Sequence, residues 1–188
     1  MKIFINPGHG GADTGACGHG LIERDVARNI GKLVKSYLVA VGYEVVLFQF
    51  DGLQQICDAA NSWNADLFVS IHCNAANGQA KGTETFYFQG SIAGKKLATA
   101  IQNQLINSLP VINRGLKTKI TGSDGRPYDI YVLKNTVMPA VLVETAFIDN
   151  AHDANLLRER EDDFARAIAR GISDFYAAPL PDVIDEKR

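Results

Sequence analysis

Four residues far apart in the chain, His9, Glu23, His72 and Glu144, are of types that together support metal-assisted hydrolysis. Two imidazoles and a carboxylate make a three-ligand zinc set that leaves a coordination position open. A fourth carboxylate, outside the set, can move protons. A cation so held keeps net positive charge, acidifies water and polarises a carbonyl. The spare glutamate would take the water's proton and return it to a departing amine, a contribution of roughly 10²–10⁴-fold.

These groups converge only if the elements around them allow it. Hydrophobic periodicity predicts strands over 2–5, 43–48, 66–72, 83–88, 130–133 and 140–144, alternating with helices over 22–41, 53–63, 97–105 and 157–175. The stretch 110–128, with Gly115, Gly122, Gly125 and Pro127, reads as a long surface excursion holding one short strand at most. Such alternation implies an α/β fold, a three-layer α/β/α sandwich in one domain. In parallel sheets ligands bind beyond the carboxyl ends of the strands. His9 lies just past the first strand, His72 at the end of the third, and Glu144 at the end of the last. Glu23 opens the helix that starts where the first strand stops. Ser70, His72 and Asn74 share one face of their strand, which turns Cys73 into packing.

Each residue also has a plainer explanation. A lone histidine is more often a core or surface residue than a ligand, and His19 and His152 are read that way. His9 and His72 differ because both sit at strand ends with acids at hand. Glu23 alone could be a first-turn carboxylate favoured by the helix dipole. Glu144 is harder to explain as structure, since an unpaired buried carboxylate is costly. Lys117, Lys119, Arg114 and Arg126 read as a solvated run, with attraction of carboxylates as the functional alternative.

Composition narrows the classes. The chain has 188 residues, 46% apolar and 21% charged, enough for one globular domain that buries about 70% of its unfolded surface. A net charge of −2 gives no basic stripe for nucleic acid. Three cysteines, Cys17, Cys57 and Cys73, make no disulfide framework. No apolar run is long enough for a secretory leader or a membrane span, so the chain is expected not to insert into a membrane. It is expected to be made in the cytoplasm and released by another route, or to have lost a leader. Gly8-His9-Gly10-Gly11 lacks the lysine and hydroxyl residue of a nucleotide loop.

Asn6-Pro7-Gly8-His9-Gly10-Gly11, Glu23, Ser70-Ile71-His72-Cys73-Asn74-Ala75 and Val143-Glu144-Thr145-Ala146-Phe147-Ile148-Asp149-Asn150 resemble the zinc-dependent N-acetylmuramoyl-L-alanine amidases, the type 3 catalytic domain of bacterial cell-wall hydrolases and phage endolysins. Lys81-Gly82-Thr83-Glu84-Thr85, Asn113-Arg114-Gly115-Leu116 and Met138-Pro139-Ala140 fit as well. The resemblance implies a catalytic domain over 1–176 with a tail at 177–188, and a mixed, mostly parallel sheet. It implies one Zn2+ per chain on His9, Glu23 and His72, with Glu144 as the catalytic acid. Asn74 is a candidate substrate contact. The implied substrate is peptidoglycan, cut by a monomer at the cell wall between N-acetylmuramic acid and L-alanine. Another zinc-dependent amide hydrolase of peptidoglycan, a peptidase or deacetylase, is the alternative. One departure is Cys57, where the family commonly carries arginine. No helix is expected between Asn74 and Glu84, which leaves the site unblocked.

Overall fold

The computed structural model describes residues 1–122 and 124–177. The expected tail, 177–188, lies outside them apart from Ala177, which closes the last helix.

The chain runs β1 (Lys2–Pro7), β2 (Cys17–Gly18), β3 (Leu21–Ile22), α1 (Glu23–Ala40), β4 (Glu44–Leu47), α2 (Leu53–Ser62), β5 (Leu67–Asn74), β6 (Thr83–Tyr87) and α3 (Ile92–Ser108). Then follow β7 (Asn113–Lys117), β8 (Ile120–Thr121), β9 (Pro127–Tyr128), α4 (Tyr131–Asn135), β10 (Ala140–Phe147), α5 (Ala151–Glu159) and α6 (Glu161–Ala177). The main sheet has the order β4-β1-β5-β10-β6-β7, parallel except where β6 runs against β10. Helices cover both faces, as the alternating pattern predicts.

Alternation along the strands divides the core in two. Ile3, Ile5, Val69, Ile71, Val141 and Val143 face α1, α3 and α6 and pack with Ile30, Val34, Leu97, Ile101, Ile168 and Ile172. Phe4, Phe68, Phe86 and Leu142 face the other way, onto Ile56 and Cys57 of α2 and Val132 and Leu133 of α4. Cys57 therefore occupies an apolar layer where an arginine's charge would have to reach out of it. All three cysteines are free thiols.

The chain leaves β1 for β4 on one side and, after α2, returns to β5 on the other. The edge between β1 and β5 is thus the point where strand order reverses, the place in such sheets where ligands bind.

Four expectations change. Residues 131–133 form part of the short helix α4, with Ile130 as its extended N-cap, and not a strand, because Val132 and Leu133 turn together into the apolar layer under α2 while Tyr131 and Lys134 stay exposed. The excursion 110–128 contributes β7 to the edge of the main sheet, and β8 and β9 pair as a hairpin. The final helix is two, α5 and α6, parted at Arg160; Glu161, Asp162 and Asp163 place negative charge in the first turn of the second. Finally, β5 and β10 continue past His72 and Glu144 to Asn74 and Phe147. Residues 145–147 of β10 are buried, and Phe147 donates its backbone N–H to buried Asp153 at 3.0 Å.

Candidate metal centre

The three predicted donors come together. One donor atom from each of His9, Glu23 and His72 lies within 4.8 Å of the others, the group of three or more His, Cys, Asp or Glu side chains so arranged among the described residues. Glu23 sits between the rings: Oε2 is 3.0 Å from His9 Nε2, and Oε1 is 2.9 Å from His72 Nδ1.

Local structure explains the convergence. Pro7 ends β1 beside Ile71, and the N–H of Gly8 closes onto the Ile71 carbonyl at 2.8 Å. Residue 8 passes against the His72 ring; a Cβ there would stand 2.3 Å from its Cε1. The turn then holds His9 at φ 59°, an uncommon left-handed conformation for a side-chain-bearing residue. The carbonyls of Ala16 and Thr14 accept the N–H groups of Glu23 and Arg24 at 2.9 and 3.0 Å. The glycine-rich loop therefore caps α1 in place of a side chain and carries Glu23 to the rim. Gly15 leaves space for the site, since a Cβ there would lie 2.4 Å from His9 Cδ2 and 2.6 Å from Glu23 Oε2.

Glu23 is 4% exposed and spends its remaining acceptor capacity on the backbone N–H groups of Ala16 and Cys73, at 2.9 and 3.0 Å. Burial pushes its carboxyl up, but the hydrogen bonds from His72 and His9 outweigh that and hold it well below the usual carboxylate range. The same Glu23 contact, helped by Asp13 and opposed by burial, raises His9 from 6.5 to about 9. The trio is built to hold positive charge, and two nitrogens with one oxygen suit a borderline cation such as zinc.

Asp13 was not singled out in the sequence. Its Oδ2 lies 2.7 Å from His9 Nδ1, the nitrogen turned away from Glu23, and so fixes the ring's tautomer and tilt. An acid four residues after a candidate ligand in the same turn was the available signal.

Glu144 stands directly opposite His72 on β5 and opposite Glu84 on β6. Its Oε2 is buried and meets no hydrogen-bond partner among the described residues. Burial raises its carboxyl from 4.5 to about 7, with His72 pulling down and Glu23 and Glu84 pushing up. A carboxyl near neutrality is suited to taking and returning a proton. Asn74 shares this face but turns to Glu84, donating Nδ2 to its Oε1 at 2.7 Å, while its Oδ1 accepts the N–H of Ala75 at 2.9 Å. Beneath the donors, Ser70 donates to Asn6 at 2.9 Å, and Asn6 donates to the Phe48 carbonyl at 3.0 Å.

A groove of about 490 Å³ runs from His9 and His72 toward Phe50, Leu53, Ile120 and Tyr131. The segment between Asn74 and Glu84 forms no helix. His19 and His152 stay apart from the centre, His19 Nε2 lying 3.2 Å from the Asp149 carbonyl and His152 Nδ1 3.2 Å from Asp153. Cys73 is buried in the apolar layer on the opposite face, as alternation predicts, and burial raises its thiol further. No helix among the described residues is long and apolar enough to cross a membrane.

The sequence profile of the N-acetylmuramoyl-L-alanine amidase family matches residues 3–174. Over 184 residues the chain is 42% identical to the N-acetylmuramoyl-L-alanine amidase LytC of Bacillus subtilis, covering 93% of this chain and 35% of that one. It is 36% identical to the endolysin of Bacillus phage SPP1, covering 95% of this chain and 65% of the endolysin. The chain therefore spans about a third and about two thirds of these two relatives. Among solved structures, the N-acetylmuramoyl-L-alanine amidase AmiC2 of Nostoc punctiforme superposes with a TM-score of 0.85 at 34% identity, covering 95% of this chain and 98% of AmiC2.

Proposed function

The chain belongs to the N-acetylmuramoyl-L-alanine amidase family, and on that premise we propose that it hydrolyses the peptidoglycan amide joining the lactyl carbonyl of N-acetylmuramic acid to the nitrogen of L-alanine. The observation that carries the proposal is the His9–Glu23–His72 cluster beside a buried, unpartnered carboxylate oxygen of Glu144. The chain would do this at the cell wall, as a monomer with one zinc ion.

His9 Nε2, Glu23 and His72 Nδ1 would hold the ion, and Asp13 would keep His9 in the tautomer that offers Nε2. Bound there, zinc would supply Lewis acidity toward the attacking water and the scissile carbonyl. Glu144, with no competing hydrogen bond on Oε2, would take the proton from the water as its oxygen bonds to the carbonyl carbon. It would return that proton to the alanine nitrogen as the C–N bond breaks, leaving a carboxylic acid and a free amine. Asn74 would hold Glu84 in place, with its second amide hydrogen left to reach substrate.

Digestion of purified peptidoglycan, with and without a chelator, tests the proposal. L-alanine is the expected new amino terminus, and chelation should abolish its release. Appearance of a different amine would favour a peptidase or deacetylase on the same donor set, and release that survives complete demetallation would sink the metal-dependent reaction.

A further inference from the structure

The rim continues beyond Glu144, and its far end holds one basic residue set apart from the others. Lys119 reaches Asp129 at 3.6 Å, and Arg126 is largely exposed beside Asp124. Arg114 behaves differently. Between β6 and β7 the register steps from Thr83↔Asn113 to Thr85↔Leu116, so Arg114 and Gly115 together stand opposite Glu84. An extra residue of this kind re-aims a side chain. Gly115 takes φ 78°, a left-handed conformation that glycine adopts without strain, and nothing crowds its Cα. Asn113 locks the bulge by accepting the Gly115 N–H and an N–H of buried Gln102, both at 2.8 Å. Gln102 in turn donates to the Thr83 carbonyl at 3.0 Å.

The guanidinium delivered by this bulge is held on two sides. Nε donates to Glu84 Oε2 at 3.1 Å, and the group lies 4.8 Å from the centroid of the Phe147 ring. Glu84 is 5% exposed, and Asn74 fills its other oxygen. The two terminal nitrogens of Arg114 donate to no acceptor among the described residues, and its side chain is 36% exposed. A planar fork fixed at Nε with its outer N–H groups free is suited to bidentate recognition of a carboxylate. The groove on the opposite side of the donors is lined instead by Asp13, Asp51 and Asp129 together with apolar side chains.

We propose that Arg114 binds a carboxylate on the peptide half of the substrate, two residues from the scissile amide, and so selects stem peptides whose second residue carries a free α-carboxylate. This rests on the amidase function proposed above. The reach agrees: the Arg114 guanidinium lies back from β7, on Glu84 of β6 and over Phe147 of β10, about one strand spacing of 5 Å from the strand of Glu144, and the second residue of an extended peptide lies about 7 Å from the scissile nitrogen. The groove on the other side, whose lining among the described residues holds no arginine or lysine to grip a carboxylate, is left to the uncharged glycan. An amidated second residue would lose the charge-assisted pair, a difference of roughly ten- to hundredfold in binding.

The test uses matched glycan-linked tripeptides in which D-Glu or D-isoglutamine is the second residue and its γ-carboxyl is joined to the same C-terminally amidated third residue, so that the two differ only in the α-carboxylate. The zinc-loaded protein is expected to prefer the carboxylate by roughly tenfold or more in kcat/KM, carried mainly by KM. In Arg114→Gln that ratio should collapse toward one, and Arg114→Lys, which keeps the charge without the fork, should retain part of it. A wild-type ratio near one would overturn the proposal. So would an Arg114→Gln variant that slows both substrates equally, since a merely structural role has that effect. Should the variant fold poorly, inhibition of the wild-type protein by the two free tripeptides gives the same comparison, and equal inhibition would refute it. If both substrates yield an amine other than that of L-alanine, the amidase function itself fails, whatever the ratio.

Discussion

Replacing Glu144 by glutamine separates the catalytic role proposed for this side chain from its cost to the fold. The glutamine keeps the shape, cannot accept the water's proton and cannot ionise. Turnover on peptidoglycan should fall by at least the roughly 10²–10⁴-fold that general acid–base catalysis contributes, while the metal stays bound, because Glu144 lies outside the donor cluster. Stability should move the other way. In the metal-free protein the folded carboxyl has a pKa of about 7 against an ordinary 4.5. Below pH 4.5 it is protonated in both folded and unfolded states and costs nothing. Between pH 4.5 and 7 the unfolded chain releases the proton while the folded one keeps it, so wild-type stability declines as pH rises. Above pH 7 both states are ionised and the penalty levels off at about 3–4 kcal/mol, from about 1.4 kcal/mol for each pH unit of the gap. Urea unfolding of both chains in chelator at pH 4.5, 6, 7 and 8 reads this directly. The stability of Glu144→Gln relative to wild type should grow across the series, whatever offset the buried amide adds. A difference that stays flat with pH refutes the burial account, loss of metal would make Glu144 a ligand, and wild-type turnover would end its role as the proton carrier.

Three further outcomes follow from the cluster. Asp13→Asn should weaken zinc binding roughly ten- to hundredfold, as loss of an outer carboxylate on a ligating imidazole does; competition with a chromophoric chelator measures it, and unchanged affinity would remove Asp13 from the site. Gly15→Ala should lose metal while keeping its helical circular dichroism, because the added methyl would stand 2.4 Å from His9 and 2.6 Å from Glu23; full zinc content by elemental analysis would contradict the packing described. Zinc binding at pH 7.5 should release at least one proton, since His9 is raised to about 9 in the metal-free protein and must shed its proton to coordinate, and ionisation of metal-bound water would add to the count. Calorimetry in buffers of different ionisation enthalpy counts it, and no buffer dependence would show that His9 is already neutral.

The sheet and the convergence of His9, Glu23 and His72 were legible for a common reason. The strands from Lys2, Leu67 and Ala140 are apolar on both faces, as buried parallel strands must be, and His9 and His72 interrupt that pattern where the chain meets the rim. The misreadings arise where local pattern and long-range packing part company. Ile130-Tyr131-Val132-Leu133 is rich in β-formers, yet Val132 and Leu133 are drawn together into the layer below α2 and the segment coils into one turn. Strand β7 hid behind its own bulge, because Arg114 and Gly115 break the alternation that would have marked it. The join at Arg160 carries neither glycine nor proline; the acids that follow were the signal for a new helix. Glu84 was visible only as part of a motif, since its partners Asn74 and Arg114 lie 10 and 30 residues away along the chain.

The uneven clothing of the sheet has a consequence for how such a site can diversify. One face is armoured by α1, α3 and α6, whereas among the described residues the other has only α2 and the single turn of α4, and the groove opens on that lighter side. Its walls near Phe50 and Ile120 come from a connecting loop and from the β8–β9 hairpin, neither of them a strand of the main sheet. Insertions there would remodel what the groove grips while leaving the rim residues on their frame. Under the proposed amidase function, preference for different wall polymers would therefore drift by lengthening or trimming these two borders, with the centre itself inherited unaltered.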